Sequence, residues 1–190
     1  MTMKIKKHSE LMMEVLKEEL QNQVEPLKPK VLKQDIENML NQRLEDEYKA
    51  HYFYLNASNW CNGVGFTNAG SFFAKESASE MEHALKIQDY MVGWNLIPKI
   101  PQVQTNFDID NLIQIINQAY NLEYDLLIKY SNDSKQCLIK DMSTFTFLQS
   151  YVQIQTQSVK EFSDLLNVLE LIDYNDKYQL LYFENKYFGG

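Results

Sequence analysis

The chain has 190 residues, of which 45% are hydrophobic and 23% are charged, and this suits one ordinary globular domain. Its formal net charge is -8 and it has no basic block, which argues against a general nucleic-acid binder. Only 6 glycines and 4 prolines occur, which favours long helices over many turns, and no apolar run approaches the length that spans a membrane.

Residues 1–33 are predicted to form an N-terminal extension that contains an additional amphipathic helix. The apolar side chains Leu11, Val15, Leu16 and Leu20 recur on one face of this stretch, between charged neighbours. Because Glu and Lys interrupt the apolar residues, the segment lacks the continuous apolar core of a signal peptide. A helix packed on the surface and a docking or targeting segment both stay open as interpretations.

Cys61 and Cys137 are the two cysteines of the chain. A single pair at this separation matches neither a disulfide framework nor a closely spaced metal-binding motif. We therefore interpret both as small core residues. A reducing compartment, the cytoplasm, is the expected location.

Four long helices are predicted between the breaks in the sequence. The breaks are Pro26 with Pro29, the Gly63-Val64-Gly65 turn, and the stretch 95–107. The predicted helices cover about 35–62, 68–94, 110–132 and 143–171. The short first connection makes two antiparallel neighbours, whereas the long stretch before the third helix can cross the length of a bundle. We predict an all-α four-helix bundle over residues 34–173 and a short C-terminal helix over 174–190.

Each of the four predicted helices has an apolar face that a polar residue interrupts. A spacing of three and four residues defines each face. The interrupting polar residues are Glu47 on the first helix, Glu80 and His83 on the second, and Glu123 on the third. On the fourth helix, Gln155 interrupts a face formed by Leu148, Val152, Val159, Phe162, Leu166 and Leu169. Four helices therefore direct polar side chains toward one interior.

Three carboxylates in an apolar interior require a compensating positive charge. An unpaired buried carboxylate costs several kcal/mol, and these faces carry no Lys or Arg. A cation of charge two or more would neutralise them, and oxygen ligands with one imidazole suit iron, manganese or zinc. Glu80 and His83 project from the same side of their helix. Alone, such a pair is typical of a solvated surface, but the polar residues on the other helices favour a metal site.

The stretches that carry these residues resemble the non-haem ferritins over Gln34–Phe188. The matching stretches are LNQRLEDEYKAHYFYLNASNWC, FFAKESASEMEHALKIQDY, YNLEYDLL, FLQSYVQIQTQSVKEF and LLYFENKYF. The resemblance implies a ferritin-like four-helix bundle with a long crossover between its second and third helices and a short fifth helix. The N-terminal extension has no counterpart in this pattern.

The resemblance also implies an H-type di-iron centre. Glu47 and His83 would bind the first iron, Glu80 would bridge to the second iron, and Glu123 would complete the protein ligands of the second.

Two further residues match the family pattern near the metals. Gln155 would hydrogen-bond to iron-bound water or oxygen, and Tyr54 would lie close to the two metals. Tyr54 has an alternative role as a core phenol that hydrogen-bonds to Glu123 and orients it. His51 could join the site, but the family pattern directs that position toward a neighbouring subunit.

Some positions depart from the patterns of related proteins. Ser79, Ile154, Gln157 and Ser158 replace the acids that hold a third iron in bacterial ferritins, so we expect no strong third site. The second Glu and His pair of bacterioferritins is missing from the fourth helix. Met81 invites comparison with their haem ligand, but methionine follows this glutamate in haem-free relatives too, and we expect no haem.

The function implied by the resemblance is iron storage by a ferroxidase. The subunit would oxidise Fe(II) with O2 or H2O2 and store a ferric mineral inside a homo-oligomeric shell of 24 subunits, with neither nucleic acid nor membrane as partner. Phe145 and Leu148 replace the acids that line an animal ferritin pore, so the iron entry route stays open. The alternatives are a dimeric di-iron peroxidase or oxygenase and a structural shell subunit with a weakened site.

Overall fold

The computed structural model describes residues 12–13, 32–104 and 108–189, and its compact unit of helices begins at Leu32. The predicted N-terminal helix therefore lies, except for Met12 and Met13, outside the described residues. Between residues 32 and 189 the described regular structure consists of five α-helices. They are α1 (Gln34–Val64), α2 (Thr67–Gly93), α3 (Leu112–Lys140), α4 (Met142–Leu169) and α5 (Lys177–Phe188).

The pairing of side chains fixes the directions of the four long helices. As α1 advances from Asp35 to Tyr54, its partners on α3 recede from Lys140 to Glu123, so these helices are antiparallel. Helix α2 is also antiparallel to α1, because Ser58 hydrogen-bonds to the carbonyl of Gly70 just across their short connection. It follows that α2 and α3 run in the same direction. The segment between them must return along the bundle, which confirms the predicted crossover.

The connection between α1 and α2 depends on Gly65. Its φ is 97°, a left-handed conformation that costs a glycine little, and it ends α1. Helix α2 then begins at Thr67. The predicted break at Gly63-Val64-Gly65 is therefore confirmed, with Gly65 as the residue that turns the chain.

The predicted end of the third helix near Asn132 is wrong, because α3 continues to Lys140. The buried face simply extends: Ser134 and Cys137 are both buried, and Asp133 forms an ion pair with Arg43 of α1 at 3.4 Å. Asp141 alone connects α3 to α4, and its carboxylate accepts a hydrogen bond from the backbone N–H of Thr144 at 2.7 Å. One N-capping residue thus replaces the predicted loop.

The bundle core is apolar and aromatic, and its face on α4 confirms the predicted Leu148, Gln155, Phe162 and Leu169 but differs at other positions. Tyr151 and Leu165 are buried there, whereas Val152 and Leu166, which the spacing predicted to face inward, are only partly buried. Cys61 and Cys137 are free thiols in the core, which confirms their predicted position. In the described residues, none of the helices is both long and apolar enough to cross a membrane.

Helix α5 is anchored to the start of α2 by a buried carboxylate. Phe66 precedes α2 and supplies no side-chain cap. Instead, Glu184 of α5, only 3% exposed, accepts hydrogen bonds from the backbone N–H groups of Asn68 at 2.7 Å and Ala69 at 3.0 Å. These are the second and third residues of α2, whose N–H groups a capping side chain normally satisfies. A residue 116 positions away therefore caps this helix.

Replacing Glu184 should loosen the start of α2. We expect Glu184→Ala to cost about 0.5–2 kcal/mol, the usual cost of a lost N-cap, because two backbone donors lose their acceptor. Hydrogen exchange followed by mass spectrometry should report faster exchange at Asn68 and Ala69. The exposed Glu170→Ala serves as the control, and equal exchange at these amides in both variants would contradict the capping role.

Candidate metal centre

Glu47, Glu80 and His83 form a buried cluster in the middle of the bundle. Each offers one ligand atom, and these three atoms lie within 4.8 Å of one another. The residues are 0%, 2% and 5% exposed. Nδ1 of His83 lies 3.1 Å from Oε2 of Glu80 and 3.6 Å from Oε2 of Glu47. The spacing within α2 and the pairing of α1 with α2 thus bring two carboxylates and one imidazole to a common point.

Glu123 of α3 is buried as well, but it is not one of the three clustered residues. Its Oε1 accepts a hydrogen bond from the hydroxyl of Tyr54, which is the contact that the sequence allowed for this tyrosine. The charge of Glu123 nevertheless acts on Glu80, so the two carboxylates lie in one electrostatic environment. Tyr54 therefore holds Glu123 in a fixed orientation beside the cluster.

Two further tyrosines support the cluster and were not singled out as site residues from the sequence. The hydroxyl of Tyr130 donates to Oε1 of Glu47, and the hydroxyl of Tyr151 donates to the backbone carbonyl of His83 at 2.8 Å. Tyr130 does lie on the predicted apolar face of α3, where a buried phenol requires a hydrogen-bond partner. This need for a partner was the feature of the sequence that could have identified Tyr130 as a site residue. Tyr151 lies one residue beside the position that the spacing of α4 predicted.

Several polar atoms of the predicted site residues are buried without a hydrogen-bond partner. They are Oε2 of Glu47, Oε2 of Glu123, and both side-chain amide atoms of Gln155. Each unsatisfied group costs about 1–3 kcal/mol, and a native protein rarely retains such groups without a reason. Carboxylate oxygens next to an imidazole are the ligands that a divalent transition-metal ion accepts. A cation with bound water would satisfy all four atoms, so these residues fit a metal site.

The raised pKa values at this site indicate that its carboxyl and imidazole groups hold protons when no cation is bound. Burial raises the pKa of Glu123 to about 8, against the hydrogen bond from Tyr54. Burial also raises the pKa of Glu80 well above its usual range, against the hydrogen bond from His83. Burial lowers the pKa of His83, but the adjacent carboxylates of Glu47 and Glu80 outweigh it and raise that pKa to about 10.

His51 lies apart from the cluster, in the contact between α1 and α2. Its Nδ1 is 2.8 Å from the backbone carbonyl oxygen of Ser77 and 2.9 Å from the Ser77 hydroxyl. If the His51 ring N–H donates to the Ser77 carbonyl, the Ser77 hydroxyl can donate to the backbone carbonyl of His51, which lies 3.0 Å away. His51 therefore serves the packing of the two helices.

The comparisons with known proteins agree on one family. The family model described as "Ferritin-like domain" matches residues 37–172. A "Probable bacterial non-heme ferritin-like protein" of Haemophilus influenzae is 28% identical over 150 residues, which cover 77% of this chain and 90% of that protein. A "Bacterial non-heme ferritin" of Escherichia coli O157:H7 is 27% identical over 143 residues, covering 74% and 87%.

Solved structures agree with the fold. The structure titled "Chlorobium tepidum Ferritin" has a TM-score of 0.73 and 27% identity, covering 82% of this chain and 96% of that one. An open pore ferritin from Archaeoglobus fulgidus has a TM-score of 0.73 and 20% identity over the same shares. The predicted ferritin-like bundle with a short C-terminal helix is therefore confirmed.

Proton binding at the site should make both stability and metal affinity depend on pH. The folded protein holds protons on Glu123 and His83 that the unfolded chain releases at lower pH, because their pKa values rise from 4.5 to about 8 and from 6.5 to about 10. The metal-free protein should therefore lose stability as the pH rises from about 4.5 to about 10. Protection by Zn2+, which undergoes no redox change, should increase over the same interval because binding displaces these protons.

Thermal unfolding with and without Zn2+, together with proton release in weakly buffered solution, measures both effects. Glu123→Gln provides the comparison, since it removes one of the titrating groups and should flatten the pH dependence. Protection by Zn2+ that does not change with pH would show that these protons are not displaced.

Proposed function

Since this chain belongs to the ferritin-like domain family, we propose that it is an iron-storage subunit that oxidises Fe(II) at a di-iron ferroxidase centre within its own bundle. The main support is the buried cluster of Glu47, Glu80 and His83, beside which carboxylate and amide atoms lie without a hydrogen-bond partner. Relatives named bacterial non-heme ferritins support the same activity. In this reaction iron is the substrate, and O2 or H2O2 is the oxidant.

We assign the protein ligands as follows. Glu47 and His83 hold one iron, Glu80 bridges the two irons, and Glu123 holds the second. The short separations within the cluster support the first three assignments. For Glu123 the support is its burial, its unpartnered Oε2 and its electrostatic effect on Glu80.

The surrounding hydroxyl and amide groups position these ligands. Tyr54 and Tyr130 each donate to one oxygen of Glu123 and Glu47 respectively, which leaves the second oxygen of each carboxylate free for a cation. Such partners normally fix ligand orientation and tune the metal. Gln155 has both amide atoms available for water or oxygen at the metals.

The ligand set favours oxidation of the bound metal. Iron supplies the electrons that the oxidant consumes, and carboxylate oxygens stabilise Fe(III) more than Fe(II), which lowers the potential. The protons on Glu80, Glu123 and His83 must leave as the cations enter, so iron binding exchanges protons for metal cations.

We further propose that the subunits assemble into a shell of 24, inside which the ferric product accumulates as mineral. The family match begins at residue 37, so residues 1–33 lie outside it. A dimeric di-iron peroxidase or oxygenase would use the same ligands, so particle mass separates it from a storage protein. A structural shell subunit would have no need to bury Glu47, Glu80 and Glu123 together.

The function is tested by oxygen addition to Fe(II)-loaded protein. The purified protein is loaded anaerobically with two Fe(II) per chain and mixed with O2 in a stopped-flow spectrometer. Glu80→Ala removes the bridging ligand and should slow Fe(II) oxidation by at least about 10–100-fold, the loss usual even for partners of metal ligands. Glu82→Ala, two residues away but exposed, is the matched control and should oxidise iron normally.

Measuring particle mass on the same samples completes the test. Fast oxidation by a large shell supports the storage function, and fast oxidation by a dimer supports the non-storage enzyme. A large shell without fast oxidation supports a structural subunit. If Glu80→Ala oxidised Fe(II) at the normal initial rate, the assignment of the centre would be wrong.

A further inference from the structure

A continuous series of aromatic rings leads away from the metal centre along α2 and α4. The ring of Tyr151 lies 6.0 Å from that of His83, measured between ring centroids. Phe147 lies 5.2 Å from Tyr151, and Tyr90 stacks on Phe147 at 4.0 Å with an interplanar angle of 11°. Trp94 follows at 6.2 Å, just after the end of α2, and is only partly buried. The series thus joins a proposed ligand to a ring that solvent reaches.

The start of this series touches the centre at two points. Tyr151 donates to the backbone carbonyl of His83 and stacks on Tyr130 at a centroid distance of 4.8 Å. Tyr130 in turn donates to Glu47. Tyr151 therefore contacts the proposed ligand His83, and its neighbour Tyr130 contacts the proposed ligand Glu47.

The chemical composition of this series differs from that of the other aromatic packing in the core. On the opposite side of the centre, Tyr54 stacks on Phe73 at 6.1 Å and on Phe162 at 6.0 Å. Phe72 and Phe188 continue that packing. A phenylalanine ring is hard to oxidise, whereas phenols and indoles lose one electron much more readily. Among the aromatic rings of the described residues, only the first series combines ring contact with oxidisable groups on both sides of its single phenylalanine.

We propose that Tyr151, Phe147, Tyr90 and Trp94 form an aromatic relay, which supplies an electron to the centre when peroxide meets a single bound Fe(II) ion. This proposal rests on the ferroxidase function proposed above. The relay protects the protein interior, because it moves the site of oxidation from the buried ligands to a ring at the surface.

The electron balance shows why the relay is needed. One H2O2 requires two electrons and two protons to become two molecules of water. Two Fe(II) ions supply both electrons, but a single Fe(II) supplies only one. The second electron then comes from Trp94 through Tyr90, Phe147 and Tyr151, and the oxidised indole releases its N–H proton to solvent. One more proton comes from solvent, and a one-electron reductant of the ascorbate class restores Trp94.

The two tryptophans of the chain provide an internal comparison. Trp60 is partly buried like Trp94, but it stacks on Phe66 at 6.3 Å, and within the described residues no ring contact joins that pair to the centre. Peroxide that reacts through diffusible radicals should attack both indoles. Oxidation through the relay should instead select Trp94.

The experiment uses the assembled protein with less than one Fe(II) per chain, mixed anaerobically with H2O2. O2 is admitted immediately afterwards, because an indole radical needs it to gain oxygen, and mass spectrometry of the digested protein then compares oxygen addition at Trp94 and Trp60. We expect Trp94 to be oxidised several-fold more than Trp60, and we expect ascorbate or a second Fe(II) per chain to suppress the modification. Freeze-quench electron paramagnetic resonance should detect an organic radical under the same conditions.

Two variants test the route itself. Phe147→Leu removes the ring between the two tyrosines, and Phe72→Leu is the matched control on the opposite side of the centre. Phe147→Leu should reduce oxidation of Trp94 several-fold, Phe72→Leu should not, and both should oxidise two Fe(II) per chain at the normal rate. Tyr90→Phe keeps the packing but removes an oxidisable ring, so it should also reduce oxidation of Trp94.

Three results would overturn the relay: equal oxidation of both tryptophans, unchanged oxidation of Trp94 in Phe147→Leu, or unchanged oxidation of Trp94 in Tyr90→Phe. If the wild-type protein with two Fe(II) per chain oxidised iron no faster than protein-free buffer, the proposed ferroxidase function would fail, and the relay would fail with it. The rate at two Fe(II) per chain therefore separates the two failures.

Discussion

The burial of negative charge inside a helical bundle is the constraint on which the rest of this structure depends. Glu47, Glu80 and Glu123 lie in an interior where the solvent cannot stabilise them. Arg43, the one buried Lys or Arg in the described part of the chain, is engaged with Asp46 and Asp133 instead. The carboxylates consequently depend on protons, on hydrogen bonds from tyrosines, or on a cation.

The packing around the site serves this constraint. Each of three tyrosine hydroxyls reaches the site from a different helix, Tyr54 from α1, Tyr130 from α3 and Tyr151 from α4. Their phenol rings fill the core, while their hydroxyls hold a carboxylate or the backbone of a ligand. The same tyrosines therefore pack the apolar core and orient the ligands, which lets polar ligands lie inside an apolar interior.

Much of this arrangement could be predicted from the sequence, because helix periodicity and residue type carry it. The interrupted faces at Glu47, Glu80 and His83 led directly to the cluster that the structure contains. Periodicity was less reliable where a local signal competed with tertiary contacts. The third helix was predicted to end near Asn132, yet Asp133 pairs with Arg43 and α3 continues to Lys140.

The hydroxyl partners were harder to predict, since spacing identifies a face but not the contacts across it. The sequence suggested that Tyr54 could hydrogen-bond to Glu123, because a phenol in the core requires a hydrogen-bond partner. The spacing of α4 admits either Tyr151 or Val152 between Leu148 and Gln155, and the structure buries Tyr151. Which of the two residues faces the core depends on how α4 packs against its neighbours, which is information that only the fold contains.

The anchoring of α2 by Glu184 has a consequence for the order in which the chain folds. Synthesis proceeds from the N-terminus, so α1 and α2 leave the ribosome long before the residue that caps α2 has been made. In the nascent helix pair the first amides of α2 therefore bind water instead of their native cap. That cap forms only when the last turns of the chain are complete. The C-terminus thus acts as the closing step of folding, and a chain that stops short of Glu184 would leave an earlier helix unfinished.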